Sequence, residues 1–153
     1  MRNPDLGFVG DVKSVNPAII QSLLAEHLIP VVSTIGSDEA GQAYNINADA
    51  VAGAVAGAVG AQKTIYLTDV AGLLQDVDDP ESLITSVTDV ELHRMIESGR
   101  LTGGMIPKID ACLEALRAGV PSVHLLDGRI PHVLLLELFT DAGVGTMITE
   151  ESE

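Results

Sequence analysis

The stretch Asn45-Ile46-Asn47-Ala48-Asp49 leads into residues 50–60, which consist only of Ala, Val and Gly, and then into the strand-like residues 63–72. If the first stretch is extended, its three polar side chains project to the same side, because side chains alternate along a strand. A helix that is apolar on every face is expected to be buried. The sequence therefore predicts a polar cluster at the start of a buried helix, where unpaired backbone N–H groups favour anions and a ligand can bind.

The composition indicates a single α/β unit. Of 153 residues, 46% are hydrophobic but only 3% are aromatic, so the core must be aliphatic. Such a core suits parallel strands covered by helices. Strand-like and helix-like segments alternate along the chain, which predicts a mainly parallel sheet sandwiched by helices.

Charge and cysteine content exclude several classes of function. The net charge is −14, from 22 acidic and 8 basic residues, which disfavours a nucleic-acid partner. The single cysteine, Cys112, allows no internal disulfide and no cysteine-based zinc site, so we expect a reducing, cytoplasmic location. No signal peptide or membrane span is expected, and no metal site is predicted.

Local patterns predict the remaining elements. Asn16-Pro17 opens an amphipathic helix, and the apolar run at residues 29–35 predicts a buried strand. Residues 36–43 predict a turn or short hairpin, and Thr88 with Glu91 predicts a capping box at the start of a helix. Further helices are predicted at 106–118 and 131–138, and further strands at 122–126 and 145–148.

The polar cluster allows two interpretations. In the first, Asn47 caps the following helix and Asp49 faces the positive end of its dipole. This does not account for Asn45, whose amide can both donate to and accept from a polar small molecule. In the second interpretation, therefore, Asn45 binds a ligand and Asp49 orients a cation near a reacting phosphate.

A second candidate site is Gly103-Gly104-Met105-Ile106-Pro107-Lys108. Two glycines before a helix allow a ligand to approach the backbone, and the helix start supplies N–H donors. A lysine in the first turn opposes the helix dipole, so the position of Lys108 favours a bound anion in a chain this poor in basic residues. The alternative is an ordinary surface lysine, and no P-loop pattern is present.

A third candidate is Thr68-Asp69-Val70-Ala71-Gly72-Leu73, which follows a predicted strand. Open parallel sheets bind ligands beyond the carboxyl ends of their strands, and small residues with one acid suit contacts to a nucleotide base and ribose. Many ordinary strand-to-loop turns also contain Asp and Gly, so a structural role is the alternative. The Gly-x-Gly-x-x-Gly pattern is absent, which disfavours a dinucleotide.

Together with Leu126-Asp127-Gly128-Arg129, these three stretches resemble, in content and order, the N-acetylglutamate kinases of the amino acid kinase family. The resemblance covers nearly the whole chain and implies that residues 1–153 form a single nucleotide-binding lobe like the carboxy-terminal lobe of that family. It implies transfer of the ATP γ-phosphoryl group to the side-chain carboxylate of N-acetyl-L-glutamate, with Mg²⁺ arriving with ATP. It also implies a homo-oligomer in the full-length form.

The resemblance implies a role for each stretch. Asn45 and Asn47 contact the acetylated amino acid, Lys108 stabilises charge on the transferring phosphoryl group, and Asp49 orients catalytic lysines. These roles fit phosphoryl transfer, which depends mainly on positioning and charge stabilisation. The nucleotide is held by residues of two segments: Thr68, Asp69, Val70, Gly72, Leu73 and Leu74, and Arg100, Leu101, Thr102 and Met105.

The sequence also departs from this family. Family members are about twice as long, and their amino-terminal half supplies a second catalytic lysine, a Gly-Gly substrate loop and a substrate-binding arginine that are not found here. We therefore expect this chain alone to bind ATP but to phosphorylate poorly or not at all. The alternatives are a non-catalytic nucleotide-binding or arginine-sensing module, and a kinase for a carbamate, aspartate or nucleoside monophosphate, which Asn45 and Asn47 disfavour.

A further resemblance concerns regulation. His124, Glu137 and Gly145 match arginine-inhibited members of the family, which implies L-arginine as an effector. Glu137 lies within an apolar helix, where a guanidinium partner would suit it; an exposed acid on the solvent face is the alternative. Taken without the resemblance, His124 in its apolar strand predicts a buried, hydrogen-bonded histidine rather than a catalytic one.

Overall fold

A computed structural model describes residues 7–76, 78–101, 103–140 and 143–151. The helices in these ranges are α1 (Ala18–Ala25), α2 (Ala48–Val59), α3 (Asp89–Glu97), α4 (Met105–Arg117) and α5 (Val133–Phe139). The strands are β1 (Val9–Gly10), β2 (Ile35–Ser37), β3 (Ala43–Ile46), β4 (Thr64–Thr68), β5 (Leu73–Leu74), β6 (Leu83–Ile84), β7 (Ser86–Thr88), β8 (Ser122–Asp127) and β9 (Gly145–Thr149). None of these helices has the length and apolar character that a membrane crossing requires.

The main sheet has the strand order β4-β8-β9-β7. The pairs β4–β8 and β7–β9 are parallel, whereas β8 and β9 are antiparallel. The predicted α/β class with a mainly parallel sheet is confirmed, with one antiparallel pairing added.

Helices α2 and α4 pack against each other through small residues. A Cβ atom added at Gly53 would lie 3.3 Å from the Cβ of Ala115, and one added at Gly57 would lie 2.5 Å from the Cβ of Ala118. Contacts move forward along both helices together, so the two helices run in the same direction. Their amino-terminal ends therefore lie at the same end of the molecule.

The core lies between these helices, α3 and one face of the main sheet. It is aliphatic, as the composition predicted, and most of it is contributed by residues after position 60: Tyr66, Leu92, Ile109, Leu116, Val123, Leu125 and Ile148 among others. The opposite face of β8 is covered by α5, where Glu137 contacts His124. The sheet is thus placed between helices on both faces.

The amino-terminal section, residues 7–47, contains no buried residue. It holds α1 and a small sheet of order β1-β3-β2, and the predicted hairpin at residues 36–43 is confirmed by the antiparallel β2–β3 pair. The prediction of a buried strand at residues 29–35 is wrong: Ile29 and Val31 are 90% and 94% exposed. An apolar strand can be buried only where layers cover both faces, and the described ranges supply none here.

Two helix predictions need correction. Within α2 only Gly53 and Ala56 are buried, because one face packs on α4 while the others remain half exposed. The expectation of burial on every face was therefore wrong. Helix α5 begins at Val133 rather than at residue 131, since His132 adopts the left-handed conformation. The capping box of Thr88 and Glu91 is confirmed.

Candidate functional site

The carboxyl ends of β4 and β8 and the amino-terminal ends of α2 and α4 lie at one edge of the molecule. Each helix is followed by a short turn and then by a strand that runs back beneath it, so the end of the strand reaches the start of the helix. The Tyr66 hydroxyl near the end of β4 donates a 3.1 Å hydrogen bond to the carbonyl of Asp49 in the first turn of α2. This edge is where ligands bind in open α/β sheets.

The start of α2 is capped by the chain itself. The Asn47 side-chain oxygen accepts hydrogen bonds from the backbone N–H groups of Asp49, at 2.9 Å, and Ala50, at 3.2 Å. The prediction of unpaired N–H groups here was therefore wrong, and the alternative of Asn47 as helix cap with Asp49 in the first turn is confirmed. Strand β3 ends before Asn47, so the three polar residues do not project from one extended strand.

Asn45 differs from its two neighbours. It lies in the centre of the small sheet, opposite Val9 on one side and Ile35 on the other. Its side chain is exposed and, within the described ranges, makes no hydrogen bond. An amide in this state remains available to a ligand.

The start of α4 is open, in contrast to that of α2. Gly104 occupies the cap position and offers no side-chain acceptor, and Gly103 takes a positive φ of 62°, which glycine adopts without strain. Lys108 follows in the first turns; it is half-buried and forms no ion pair with any described residue. The N–H group of Ile106 donates to the carbonyl of Gly103 at 3.3 Å and Pro107 has none, so within the described ranges the N–H groups of Gly104 and Met105 remain open beside the unpaired ammonium group, a combination suited to an anion.

The charges of Asp49 and Lys108 both act on the buried thiol of Cys112. Burial raises the pKa of Cys112 to about 12; the charge of Asp49 raises it further, and the charge of Lys108 lowers it. Both charges thus act on one point in the seam between α2 and α4. The thiol itself is fully buried, and its raised pKa keeps it protonated near neutral pH.

The turn after β4 is held rigidly. The Thr68 hydroxyl donates to the carbonyl of Val70 and accepts from its N–H group, which leaves Asp69 exposed at the edge. A Cβ atom at Gly72 would lie 2.6 Å from the Thr146 hydroxyl oxygen. Only glycine allows the loop to pass this close to β9.

Leu73 and Leu74 lie deeper than a nucleotide contact requires. Leu73 is 1% exposed, and its N–H group donates to the Thr146 hydroxyl at 2.8 Å, which in turn donates to the carbonyl of Ile84 at 2.7 Å. Leu74 is half-buried. Leu73 therefore packs in the core. Asp69 and Val70, which precede it and are more exposed, are better placed to contact a ligand.

The residues of the second segment predicted to bind the nucleotide, 100–105, differ in their exposure to solvent. Arg100 is exposed and its guanidinium donates a 3.3 Å hydrogen bond to the carbonyl of Gln75. Leu101 is buried in the core, while Met105 begins α4 and is half-buried. Thr102 lies outside the described residues.

Asp127 and Arg129 form a further charged pair at this edge. Asp127, buried at the end of β8, accepts hydrogen bonds from both the Nε and Nη2 of Arg129, each at 2.8 Å. These bonds hold the pKa of Asp127 down to about 2. The same hydrogen bonds and the charge of Asp127 raise the pKa of Arg129, with a smaller contribution from the charge of Asp69. The signal in the sequence is an acid and an arginine two residues apart after an apolar strand.

The residues predicted to bind an effector form a second cluster on the other face of the sheet. His124 Nδ1 lies 2.6 Å from Glu137 Oε1, and Ser122 Oγ lies 3.1 Å from His124 Nε2. Burial lowers the pKa of His124 while Glu137 opposes the shift, so the neutral ring donates to Glu137 and accepts from Ser122. The predicted burial of His124 is confirmed, and the solvent-facing alternative for Glu137 is excluded by its 13% side-chain exposure.

Gly145 serves the fold at this cluster. A Cβ atom there would collide with the carbonyl oxygen of Leu125 and lie 2.7 Å from a methyl group of Leu126. The close β8–β9 pairing therefore requires glycine. Sequence reasoning missed Ser122, which completes the chain of hydrogen bonds through His124.

The described ranges contain no group of three or more His, Cys, Asp or Glu side chains that could hold a metal ion. Two cavities, of about 450 and 1010 Å³, are lined in part by Asp11, Val12, Lys13 and Ser14. Neither is lined by Asp49 or Lys108.

Comparison with known proteins gives consistent results. A sequence profile of the amino acid kinase family matches residues 2–127. Acetylglutamate kinases of Nostoc sp. and Methanocaldococcus jannaschii are each 54% identical to this chain, over 94% and 96% of its length. The matched part covers 48% and 49% of those two proteins, so the chain spans about half the length of the curated relatives it matches.

The fold agrees with a solved structure as well. N-acetylglutamate synthase from Neisseria gonorrhoeae, complexed with coenzyme A and L-arginine, superposes with a TM-score of 0.86 at 26% identity. The match covers 99% of this chain and 35% of the synthase. On the profile match and the 54% identity, this chain belongs to the amino acid kinase family.

Proposed function

We propose that this chain supplies the ATP-binding half of an N-acetylglutamate kinase, which phosphorylates the side-chain carboxylate of N-acetyl-L-glutamate. The observation that carries the proposal is the unpaired, half-buried Lys108 beside the uncapped start of α4. A cation and free N–H groups at one point are the groups that a polyphosphate needs. The names of the relatives, all about half spanned by this chain, supply the reaction and the acceptor.

Each residue at the edge has a role in this proposal. Lys108 and the N–H groups of α4 neutralise charge that develops on the transferring phosphoryl group. Asp49 acts through the α2–α4 seam to keep the Lys108 ammonium group in one orientation. Asn45 binds the acetylated amino acid through its free amide, and Asn47 both caps α2 and lines the same site.

The nucleotide lies along the carboxyl ends of β4 and β8. Thr68, Asp69, Val70 and Gly72 form one wall, with the half-buried Leu74 and the buried Leu73 behind it. Arg100 and Met105 form the other, with the buried Leu101 behind it; a role for Thr102 rests on the family resemblance alone. Mg²⁺ is held mainly by phosphate oxygens and water, as is usual for this ion, because the described side chains form no metal cage. The cytoplasmic location and homo-oligomeric full-length form stay part of the proposal.

A lysine exchange with a matched control tests the nucleotide site. Isothermal calorimetry measures Mg-ATP binding to the wild-type chain, to Lys108→Met and to Lys13→Met, whose lysine is 90% exposed in a 3.8 Å pair with Glu39. Loss of a charged hydrogen bond should weaken ATP binding about tenfold or more for Lys108→Met. Lys13→Met should bind as the wild type does, and equal affinity of all three proteins would refute the proposal.

The division of labour has its own test. Coupled assays of ADP release should detect little or no phosphorylation by this chain alone, because the second lysine and the substrate arginine implied by the family resemblance are not found in it. Turnover should appear when the amino-terminal half of a related acetylglutamate kinase is supplied. Full activity of the isolated chain would contradict the proposed division.

A second function is favoured by the cluster on the opposite face. The chain resembles a synthase whose structure contains L-arginine. Glu137 is also a nearly buried carboxylate, a group with which a guanidinium could pair. We propose that L-arginine binds at Ser122, His124, Glu137 and Gly145. Calorimetric titration with arginine should give heat for the wild type and little for Glu137→Gln, with exposed Glu97→Gln as control; equal heats for both variants would discard this site.

A further inference from the structure

Arg129 is held in one orientation at the carboxyl end of β8. Its guanidinium Nε and Nη2 atoms each donate a 2.8 Å hydrogen bond to the Asp127 carboxylate, and its backbone N–H donates to the same carboxylate at 2.9 Å. The Asp127 side chain is 10% exposed, whereas that of Arg129 is 66% exposed. A two-point pair between arginine and a carboxylate is specific in geometry as well as favourable in energy. A nearly buried acid thus fixes a guanidinium that faces solvent.

The pair with Asp127 leaves one edge of the guanidinium open. A guanidinium carries five N–H donors in a planar fork, and Asp127 takes the Nε hydrogen and one Nη2 hydrogen of Arg129. Within the ranges that the structure describes, no other residue accepts from the second Nη2 hydrogen or from Nη1. The open edge therefore presents two nitrogen atoms side by side, which matches the oxygen atoms of a phosphate group.

The guanidinium lies at the end of β8 that is under the start of α4. Side chains alternate between the faces of a strand, and Val123 and Leu125 of β8 pack in the core below α2 and α4. Asp127, two residues further on, therefore projects to the same face of the sheet, together with the guanidinium that it holds. Because α4 packs on β8 and the chain turns back between them, the carboxyl end of β8 lies under the first turn of α4. Lys108 and the open N–H groups of α4 are found there.

The charges at this edge favour a second cation for a bound polyphosphate. Asp49, Asp69 and Asp127 place three carboxylates here, and the charge of Asp69 acts on Arg129. Lys108 alone does not offset three carboxylates, and their repulsion would weaken the binding of a polyanion. A chain with 22 acidic and only 8 basic residues nevertheless places Arg129 at this edge, where it neutralises Asp127 and still offers open N–H donors.

We propose that Arg129 is a phosphate-binding residue of the nucleotide site, whose open guanidinium edge donates hydrogen bonds to the polyphosphate oxygens of ATP, and that Asp127 is its positioning residue. The inference rests on the proposed function, which it deepens by adding a contact outside the two segments that the family resemblance assigns to the nucleotide. Lys108 then binds the polyphosphate as a point charge, whereas Arg129 fixes the direction of its oxygen atoms through a planar fork.

Calorimetry with two ligands tests the contact. Binding of Mg-ATP and of Mg-tripolyphosphate, which lacks base and ribose, is measured for the wild type, Arg129→Met and Arg117→Met. Loss of charged hydrogen bonds should weaken the binding of both ligands about tenfold for Arg129→Met. Arg117 is exposed at the other end of α4, about 18 Å from its start, so Arg117→Met should bind both ligands as the wild type does. Arg129→Lys keeps the charge but not the fork and should recover part of the affinity.

Chemical protection gives a second readout that depends on no variant. Phenylglyoxal modifies exposed arginine side chains, and mass spectrometry of peptides measures its rate at each arginine of the wild-type chain. Mg-ATP or Mg-tripolyphosphate at about ten times its dissociation constant should slow the modification of Arg129 about tenfold and leave that of Arg117 unchanged. A residue that only holds the turn after β8 stays as exposed with the ligand as without it, so unchanged modification of Arg129 overturns the proposal.

The variants also separate this inference from the proposed function. Wild-type binding of both ligands by Arg129→Met refutes the phosphate contact, and so does a loss confined to Mg-ATP, which would place Arg129 at the base or ribose. If Lys108→Met loses affinity while Arg129→Met does not, only this inference fails. If Mg-ATP binds equally well to the wild type, to Lys108→Met and to Arg129→Met, the nucleotide site fails as a whole.

Discussion

The amino-terminal section, residues 7–47, and the remaining residues, 48–151, are both rich in aliphatic side chains, but only the second part has a core. In the first part no described residue is buried, whereas the second part buries Leu92, Ile109 and Val123 completely. The two parts differ in whether helices and sheets pack in layers over one another, and not in their content of aliphatic residues. Helices and a four-stranded sheet cover one another after residue 48, while none of the described residues of the small sheet β1-β3-β2 is buried.

The largest expected effect compares one isoleucine from each part. Ile109→Ala removes a fully buried side chain and should lower the free energy of unfolding by about 3 kcal/mol, through lost transfer energy and a residual cavity. Ile29→Ala changes a side chain that is 90% exposed, so it should alter the free energy of unfolding by less than about 0.5 kcal/mol. Urea denaturation followed by circular dichroism measures both. Similar losses for the two variants would show that residues 28–35 are packed in solution.

A second comparison uses two glycines with equally close neighbours. A Cβ atom at Gly57 meets the Cβ of Ala118 at 2.5 Å, and one at Gly36 meets the terminal methyl group of Ile46 at 2.6 Å. Ala118 cannot move without its helix, so Gly57→Ala should cost about 1–2 kcal/mol in spite of the higher helix propensity of alanine. The Ile46 side chain can rotate away, and Gly36→Ala should cost about 0.5 kcal/mol or less.

Thermal unfolding of these two variants decides the point. A lower midpoint for Gly57→Ala alone is the expected result. A stabilised Gly57→Ala would mean that α2 and α4 are further apart than described, and the alignment of Asp49 with Lys108 would lose its support.

A third comparison concerns helix caps. The Thr88 hydroxyl accepts from the N–H of Glu91 at 3.2 Å, and Thr88→Ala should destabilise the chain by about 1 kcal/mol. The Asn16 side chain accepts from the N–H of Ala18 at 3.1 Å, yet α1 contains no buried residue. Fraying of α1 therefore opens no core, and Asn16→Ala should leave the urea midpoint unchanged. Equal losses would indicate that α1 unfolds together with α3.

The smallest effect depends on pH. Burial lowers the pKa of His124, so the unfolded chain binds more protons once the pH falls below the ordinary histidine pKa of about 6.5. Stability should therefore be fully present above that pH and decline as the pH falls toward the depressed pKa. Melting curves at descending pH should show this decline for the wild type and for the exposed control His27→Gln, but less of it for His124→Gln. A wild type that gains stability in this window would contradict the assigned shift.

Features that depend on neighbouring residues in the sequence were predictable. The capping box at Thr88 needs only residues that are three apart, and the structure contains it. The apolar strand at residues 122–126 and the buried His124 were likewise predicted correctly, because here the neighbouring strands β4 and β9 supply the environment that such a run suits. The helix predicted at residues 106–118 begins and ends one residue earlier in the structure, at Met105 and Arg117.

Features that depend on contacts between residues distant in the sequence were not predictable. The run at residues 29–35 carries the pattern of a buried strand, but a pattern indicates what environment a segment suits and not whether that environment is present. The antiparallel direction of the β8–β9 pair depends on how strands distant in the sequence meet in the sheet, which no local pattern shows. At the candidate site, the pairing of Asp127 with Arg129 was visible in the spacing, whereas the burial of Leu73 depends on its bond to Thr146.

The contact between α2 and α4 has a mechanical consequence. Glycine and alanine place almost no side chain between the two backbones at Gly53 and Gly57, so no rotamer change can widen or narrow the gap. The backbone spacing between the helix turns that carry Asp49 and Lys108 is accordingly fixed. Under the proposed function, a closing movement around ATP would therefore come from the opposite side of the site and not from a change in the distance between α2 and α4.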